Sequence, residues 1–335
     1  MPYTQVDPAS TPSFLIGRDD KVATAGRCFA QHIARHLSKS GFNYFLAEQA
    51  HPIFPANIAD DFTYGVFSTR YGNISTSRQL VQLFDCAYRN FLPEEDFWAE
   101  PDGSYVDPFR PTCNPGGIAS VEELRADRAQ HFACIRRMFE DLNIFVFTLG
   151  LTETWVSRSD GSVYPVCPGT AAGNFDPEKY QILNLGVTEV IADMKEFLAR
   201  LASVNSNARL ILTVSPVPLV ATAVDRHVLS STTLSKSVLR VAADVISHEY
   251  EHVSYFESYE TIMGTYNRGR YFADDLRSVT EEGVSHVMRL FLRHYTEAGA
   301  DTDEPALVEV PEDNFIATMS AAIAVICHEE VLGSL

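Results

Sequence analysis

Ile144-Phe145-Val146-Phe147-Thr148-Leu149-Gly150 is the stretch of sequence that decides the fold. Its apolar side chains fall on both faces of an extended chain, which is typical of a strand in a parallel sheet covered by helices on both sides. Residues 210–214 form a second apolar run of strand length, and Val253–Phe256 is a shorter one. Together these runs predict a three-layer α/β/α sandwich with a mostly parallel central sheet.

Amphipathic segments of helical length separate the strands. Residues 21–25 are expected to form the first strand, which ends in a turn at Gly26. Ser77 is interpreted as an N-cap, and Ser120 with Glu123 three residues later matches a capping box. Helices are predicted at about residues 29–38, 78–89, 120–142, 187–204, 234–248 and 279–295.

The main domain is predicted to span residues 14–296. From residue 297 to 314 the chain is acidic and contains Pro305 and Pro311, which is typical of a linker. Residues 315–335 are amphipathic again. We expect this C-terminal segment to dock back on the domain or to pair with another subunit in a homo-oligomer.

The charge of the chain excludes two classes of partner. Asp and Glu total 44 against 26 Lys and Arg, so the formal net charge is -18. A nucleic-acid-binding protein needs a basic surface, and so does a protein held on an anionic membrane. No basic run and no apolar stretch of membrane-spanning length occurs in the sequence. We therefore expect neither nucleic acid nor a membrane as a partner.

The six cysteines are scattered, and no two of them have C-x-x-C spacing. In a chain of 335 residues this pattern indicates reduced thiols rather than a disulfide framework or a zinc site. Residues 1–13 lack the basic and apolar pattern of a signal peptide. We therefore expect a cytoplasmic protein. No clustered His and Asp pattern is present at the strand ends, and no metal or cofactor is expected.

The first candidate site is Gly26-Arg27-Cys28-Phe29-Ala30, where a strand turns into a helix. The exposed N–H groups at the start of a helix favour a thiolate, and Arg27 would act in the same direction if its side chain turned inward. The same N–H groups would stabilise an oxyanion. Taken alone, however, the motif favours a buried and unreactive cysteine, which is the usual state of a free thiol.

Two further strand ends carry residues that could take part in chemistry. Glu153 follows the central strand closely, where a carboxylate serves either in a cleft or as a partner of helix N–H groups. Ser215-Pro216-Val217-Pro218 ends the second strand and leads to His227, a candidate base that would otherwise be an ordinary surface histidine. His286, inside a predicted helix, is expected to pack in the core.

Two other features are interpreted as ordinary surface. Residues 107–111 and 113–117 form a Pro- and Gly-rich loop that would either cover the cleft or lie on the surface, and the surface interpretation is preferred. Lys236 would suit an anionic substrate, but a lysine on a helix is usually solvated. Cys167 is expected to be a packed turn residue.

The motif at Cys28 resembles the Gly-Ser-Cys-Phe-Ala signature of the GSCFA family, which belongs to the SGNH/GDSL hydrolase superfamily. Several uncommon segments match in the same order over roughly residues 20–295. They are residues 26–30, 71–74, 150–155, 164–169, 215–218, 235–237 and 272–277. The resemblance implies an SGNH-hydrolase-like fold.

The resemblance also implies roles for four residues near the first two strand ends. The superfamily places its nucleophile two residues after a strand-ending glycine, which is Cys28 here, and Arg27 replaces the serine between them. The second superfamily block supplies an oxyanion-hole glycine. Gly72 corresponds to it and is followed by Asn73.

The last two blocks depart from the superfamily pattern. Thr152 stands where the oxyanion asparagine is expected, and Glu153 follows it. Asp275 and Ser278 stand at the Asp-x-x-His block, so that serine replaces the expected base. His227 is the preferred substitute, with Glu153 or Asp275 orienting it.

The resemblance favours an acyl-transfer enzyme, either an esterase-like hydrolase or an acyltransferase, with Cys28 as nucleophile and an acylated sugar or small metabolite as substrate. The alternative is a non-catalytic binding or scaffold protein that keeps the fold without the catalytic histidine. Loss of that histidine favours the alternative, and retention of Cys28 on its turn opposes it.

Overall fold

A computed structural model gives the structure of residues 2–300, with the backbone alone described for Cys28 and Ala300. The strands are β1 Val22–Ala25, β2 Trp98–Ala99, β3 Tyr105–Val106, β4 Ile144–Leu149, β5 Glu153–Ser157, β6 Val163–Tyr164, β7 Tyr180–Asn184, β8 Arg209–Val214 and β9 Val253–Phe256. The helices are α1 Cys28–Lys39, α2 Ala56–Asp61, α3 Ser77–Ala87, α4 Val121–Asp141, α5 Val187–Val204, α6 Val228–Glu249, α7 Ser258–Met263, α8 Glu281–Tyr295 and α9 Glu297–Ala300.

The central sheet has the strand order β1-β4-β8-β9, and every neighbouring pair is parallel. Val146 lies opposite Thr24 on one side and Ile211 on the other. Because β4 is a central strand, its six residues are all buried. The predicted parallel sheet is confirmed.

Helices cover both faces of this sheet. Phe145 and Phe147 pack into a core cluster with apolar residues of α3, α4, α5 and α6. Ile144 and Val146, which alternate with them, pack into a second cluster with α1 and α8. The alternation of side chains along a strand therefore divides the core in two, and the protein is a three-layer α/β/α sandwich.

Short antiparallel strands lie outside the central sheet. β5 pairs with β6 and with β7, and Trp155 lies opposite Tyr164. The turn between β5 and β6 contains Asp160 and Gly161, a pair that is typical of a β-hairpin. β2 and β3 form a second, two-stranded pair. β7 was not expected from the sequence.

The ends of the described chain contact the sandwich. The Tyr3 hydroxyl donates a hydrogen bond to Glu282 at 2.6 Å, and the Ser13 hydroxyl lies 2.8 Å from that of Ser254. Residues 2–13 thus pack on the domain as well. Residues 297–300 of the predicted linker form α9, while the rest of the linker and the C-terminal segment 315–335 lie outside the described residues.

Between residues 2 and 300, no helix has the length and apolar character needed to cross a bilayer.

Candidate functional site

A glycine turn joins the edge strand β1 to helix α1. Gly26 has φ +143°, and a Cβ placed on it would lie 2.8 Å from the Thr148 Cβ. Glycine is therefore required at this position. Arg27 is the N-cap residue in an extended conformation, and the helix begins at Cys28. The side chain of Cys28 lies outside the described part of the structure.

Backbone hydrogen bonds fasten three strand-end segments to one another. Ile74 donates its N–H to the Gly26 carbonyl at 3.0 Å. The Ser75 carbonyl accepts from the N–H groups of Gly150 at 3.0 Å and Leu151 at 2.9 Å. The turn after β1, the segment 72–75 and the end of β4 therefore meet at one edge of the sheet, where parallel sheets form ligand sites.

A pocket of about 400 Å³, including its opening to solvent, lies at this edge. Its lining comprises Arg27, Tyr71, Gly72, Asn73, Ser75, Phe109, Arg110, Pro111, Thr112, Pro165 and Val166. We call it the strand-end pocket. Gly72 has φ +67°, and the buried Oδ1 of Asn73 has no hydrogen-bond partner. The predicted residues Arg27, Gly72 and Asn73 are thus brought together around one pocket.

The absence of a side chain at Gly150 leaves space for the Arg27 side chain, which packs against it. A Cβ on Gly150 would lie 3.1 Å from the Arg27 Cδ and 3.0 Å from the Ser75 carbonyl oxygen. Arg27 itself is 9% exposed. Arg27 is the N-cap residue of α1 and lines the strand-end pocket, so it contributes a positive charge to this pocket, which favours an anion.

Residues 107–113 of the loop after β3 are buried or half-buried, so the interpretation as an ordinary surface loop is wrong for this part, whereas Pro115 and Gly116 are exposed. Asp107 is 2% exposed and Arg110 is 4% exposed. Asp107 accepts hydrogen bonds from Arg110 and from Arg128 of α4, with N···O distances of 3.0 to 3.2 Å. Arg110 also donates to Asp127 at 2.6 Å. These ion pairs hold the loop inside, because a buried charge is tolerated only when it is paired.

A buried histidine and glutamate extend this network. His131 Nδ1 lies 2.6 Å from Oε2 of Glu48, which also accepts from the backbone N–H of Arg70 at 2.8 Å. The Arg70 guanidinium in turn donates to Asp127 at 3.2 Å. We refer to Glu48, Arg70, Asp107, Arg110, Asp127, Arg128 and His131 as the buried charge network.

The pKa shifts in the network have consistent causes. Burial favours a raised pKa for Glu48, but the hydrogen bonds that Glu48 accepts from His131 and from the N–H of Arg70, together with the Arg110 charge, outweigh it and lower this pKa. Burial lowers the pKa of His131, and the Arg110 charge adds to that effect. For Asp107, burial is outweighed by the charges of Arg128 and Arg110, which lower its pKa. We therefore describe Glu48 as ionised and His131 as a neutral imidazole that donates from Nδ1.

A family model of the GSCFA family matches residues 21–291. The chain belongs to the GSCFA family. The match covers the whole central sheet together with α1 to α7 and the first part of α8, up to residue 291. No curated protein matches the sequence.

Other predicted site residues of this GSCFA chain make local structural contacts. Thr152 is 1% exposed, and both its N–H and its hydroxyl donate to the Ser235 hydroxyl. Glu153 accepts from the Thr222 hydroxyl at 2.7 Å and from the N–H of Ala223. Neither Thr152 nor Glu153 is among the described lining residues of the strand-end pocket.

The Asp275 block forms a surface turn before α8. The Asp275 carboxylate accepts from the Ser278 hydroxyl at 2.6 Å and from two backbone N–H groups. The Ser278 hydrogen bond lowers the pKa of Asp275. Both side chains are exposed. Their geometry is that of a turn cap, in which Ser278 is a donor and not a base.

The histidine candidates differ in their surroundings. His227 is exposed and caps α6, with Nδ1 accepting from the N–H of Leu229 at 3.2 Å. His286 is 3% exposed, and its Nδ1 lies 2.6 Å from the Tyr271 hydroxyl, which confirms its expected place in the core. Neither is among the described residues around the strand-end pocket.

Sequence reasoning missed the residues that carry most of the charge near the pocket. His131 stands on the same helical stripe as the buried Leu124 and Ile135 of α4, which was a signal for burial. Lys236 was interpreted as solvated, but it is 1% exposed and donates to the Gly150 carbonyl at 2.7 Å.

The four cysteines with described side chains are free thiols, Cys86, Cys113, Cys134 and Cys167. Burial raises the pKa of Cys167 to about 11 and that of Cys86 to about 12. These thiols stay protonated and unreactive near neutral pH. Among residues 2–300, no group of three or more His, Cys, Asp or Glu side chains is arranged to hold a metal ion.

Proposed function

We propose that this GSCFA protein is an acyl-transfer enzyme, an esterase-like hydrolase or an acyltransferase, with Cys28 as the nucleophile. The observation that carries the proposal is the position of Cys28. It is the first residue of α1, directly after a glycine turn, and its neighbour Arg27 lines the strand-end pocket together with Gly72 and Asn73. The proposed substrate is an acylated sugar or small metabolite in the cytoplasm, where such thiols stay reduced.

The start of a helix favours a reactive thiolate at this position. The free N–H groups of the first turn and the helix dipole stabilise negative charge, and Arg27 adds a full positive charge nearby. The pKa of Cys28 would then lie below that of an ordinary thiol, in contrast to the buried Cys86 and Cys167. A lowered pKa makes the thiolate available at neutral pH.

In the proposed reaction, the Cys28 sulfur attacks the acyl carbon and its electron pair forms the new C–S bond. The carbonyl oxygen becomes an oxyanion, which the N–H groups of Cys28 and Gly72 and the Asn73 amide would stabilise. Collapse of this intermediate breaks the bond to the leaving alkoxide, which takes up a proton. Water or an acceptor alcohol then attacks the thioester and releases Cys28.

Proton transfer is assigned to His227, with Glu153 or Asp275 orienting it. Glu153 is already bonded to Thr222 and Ala223, which lie in the loop leading to His227. That contact links the start of β5 to this loop. The assignment predicts that His227→Gln slows the transfer of a proton to the leaving group. Acylation of Cys28 by an activated ester should continue, because its leaving group departs without a proton.

We also propose that the chain is a member of the SGNH/GDSL superfamily. Three features support this: the parallel three-layer sandwich, the glycine turn before Cys28, and the backbone contact that brings segment 72–75 to the same strand end. Fold likeness alone does not define a reaction, so the chemistry rests on Cys28.

Acylation of Cys28 is the decisive test. The full chain would be incubated with p-nitrophenyl acetate, and the modified residue would be located by peptide mass spectrometry. We expect one acetyl group on Cys28 and none on Cys167, and we expect the adduct to be lost in Cys28→Ala. Cys167→Ala is the matched control, because Cys167 is a half-buried thiol next to the pocket residue Val166.

The pH dependence of thiol alkylation gives a second readout. The proposal requires the alkylation rate of Cys28 to reach half of its maximum below the ordinary thiol pKa of about 8.5. If Cys28 titrates at that value or above it and reacts no faster than Cys167, the enzyme proposal fails.

A non-catalytic binding protein is the second candidate. It is favoured by the described lining of the strand-end pocket, which contains two arginines and no histidine. This candidate predicts that Cys28→Ala leaves ligand binding and the biological role unchanged. The acylation experiment separates the two, because only the enzyme forms a covalent adduct.

A further inference from the structure

A second pocket adjoins the first and lies over the buried charge network. It has a volume of about 440 Å³ including its opening, and it shares Tyr71, Phe109, Arg110 and Pro165 with the strand-end pocket. Its walls are largely apolar and include Ile74, Leu83, Phe132 and Val163. We call it the network pocket.

Two buried polar atoms in the lining of the network pocket have no partner. They are Nη1 of Arg110 and Nε2 of His131, on side chains that are 4% and 1% exposed. Other polar groups in the lining are satisfied: Gln82, for example, bonds both the N–H and the carbonyl of Val163. Leaving a buried polar group unpaired is unfavourable, and such groups occur where a ligand or water completes the bonding.

The side-chain charges of the buried charge network balance one another. Glu48, Asp107 and Asp127 contribute three negative charges, and Arg70, Arg110 and Arg128 contribute three positive ones. His131 is neutral and donates from Nδ1 to Glu48, so that Nε2 presents a lone pair. An anion entering alone would upset the balance, whereas an anion entering with a proton would preserve it.

We propose that the network pocket binds a carboxylic acid with a short apolar tail. The carboxylate accepts hydrogen bonds from Nη1 of Arg110 and from Nε2 of His131, which takes up one proton from solvent as the ligand binds. The tail packs against Leu83, Phe132 and Val163. A guanidinium and an imidazolium are the strongest donors for a carboxylate, since both bonds are charge-assisted.

This site is independent of the proposed chemistry at Cys28. None of the contacts proposed for the carboxylic acid involves the Cys28 thiol, and binding of the acid can be measured without a substrate of the proposed reaction. A chain whose Cys28 is not acylated would still bind the acid, and a chain with an acylated Cys28 need not bind it. The failure of one proposal is therefore distinguishable from the failure of the other.

Calorimetric titration of the full chain with butyrate tests the proposal. Titrations in buffers of different ionisation enthalpy report the number of protons that the protein takes up on binding. At a pH above the His131 pKa of the ligand-free protein, we expect about one proton for each butyrate bound. Because that pKa is lowered, the association constant should fall roughly tenfold per pH unit between about pH 7 and 8.5. 1-Butanol, which has the same tail without the charge, should bind at least tenfold more weakly.

Variants locate the site. His131→Gln should abolish proton uptake and weaken butyrate binding at least tenfold. His286→Gln is the matched control, because His286 is also buried with a hydrogen-bonded Nδ1 but does not line the pocket. Leu83→Trp fills the apolar end without altering a charge, so it should block binding even if His131→Gln does not fold.

Three results would overturn the proposal. They are equal affinity for butyrate and 1-butanol, butyrate binding without proton uptake, and butyrate binding that survives Leu83→Trp. Cys28→Ala should leave both the affinity and the proton uptake unchanged.

Discussion

Gly26 holds the turn that carries Arg27 and Cys28 to the strand-end pocket. Its φ of +143° is open to glycine and strained for other residues, and the space beside it is filled by Thr148. The Gly26 carbonyl also accepts from the N–H of Ile74, which brings in the segment containing Gly72. The position of the proposed nucleophile therefore depends on the absence of one side chain.

Gly26→Ala is expected to destabilise the protein by about 3 kcal/mol, because it adds overpacking to backbone strain. Chemical denaturation followed by circular dichroism would measure the loss. Gly116→Ala is the matched control: φ is +76° there and no atom lies near its Cβ, so the cost should be about 1 kcal/mol. Equal costs at the two positions would show that the contact with Thr148 does not matter.

Single residues also show where sequence reasoning succeeded and where it did not. The turn at Gly26 was predictable because a glycine after an apolar run has a local physical meaning. The burial of Asp107 and Arg110 was not, because a Pro-rich stretch with charges has the composition of a surface loop. Their burial depends on ion pairs with Asp127 and Arg128 of the next helix, α4. No local pattern contains that information.

Helix α3 connects the pocket to the core through its N-terminus. The predicted N-cap, Ser77, is wrong by one residue: Thr76 caps the helix, accepting from the N–H of Gln79, whose side chain returns a bond to the N–H of Thr76. Gln79 also accepts from the N–H of Ser75. Ser77 instead donates to Asp193 of α5. The same cap thus holds the segment that lines the strand-end pocket.

Thr76→Ala should therefore cost about 2 kcal/mol, at the upper end for a cap, because Thr76 is fully buried. Ser120→Ala, at the more accessible cap of α4, should cost about 1 kcal/mol. Thermal and urea unfolding would measure both, and Thr76→Ser should restore most of the loss. Equal losses for the two alanine variants would contradict the proposed coupling to the pocket segment.

Elements with a strong internal pattern were predicted closely. The bounds of β4, β9 and α5 agree with the structure, because continuous apolar runs and a regular apolar stripe mark them. Strand β7 was missed because its burial alternates irregularly along Tyr180–Asn184. It is stabilised by pairing with β5, a contact that its own sequence does not display.

At the level of the whole molecule, buried ionisable groups tie stability to pH. Burial is the largest cause of a lowered pKa in the described histidines His32, His36, His131 and His286. A lowered pKa means that the unfolded chain binds protons that the folded chain excludes. Stability is therefore lost as the pH falls below about 6.5, the ordinary histidine pKa.

Lowering the pH from 7 to 5 should reduce the melting temperature by roughly 5 °C or more. Burial raises the pKa of Asp60, Asp193 and Glu257, which acts in the opposite direction, but the four histidines outnumber these three carboxyls. Below about pH 4.5, protonation of Glu48 adds a further loss that is complete near its folded pKa of about 2.

Scanning calorimetry across this range checks the prediction. His286→Gln should flatten the decline between pH 7 and 5, whereas His248→Gln, at an exposed position, should leave it unchanged. A melting temperature that rises on acidification would contradict the assignment of neutral buried histidines.

The strand-end pocket is assembled from positions 27, 71–75, 109–112 and 165–166, which are far apart along the chain. A growing polypeptide therefore lacks part of the pocket wall until residue 166 has left the ribosome, and no shorter fragment can form the complete pocket. Occupancy would protect finished molecules from proteolysis and leave clipped or incomplete ones exposed, because a ligand stabilises only the state that binds it. Abundance of this protein in the cell should then follow the supply of its ligand.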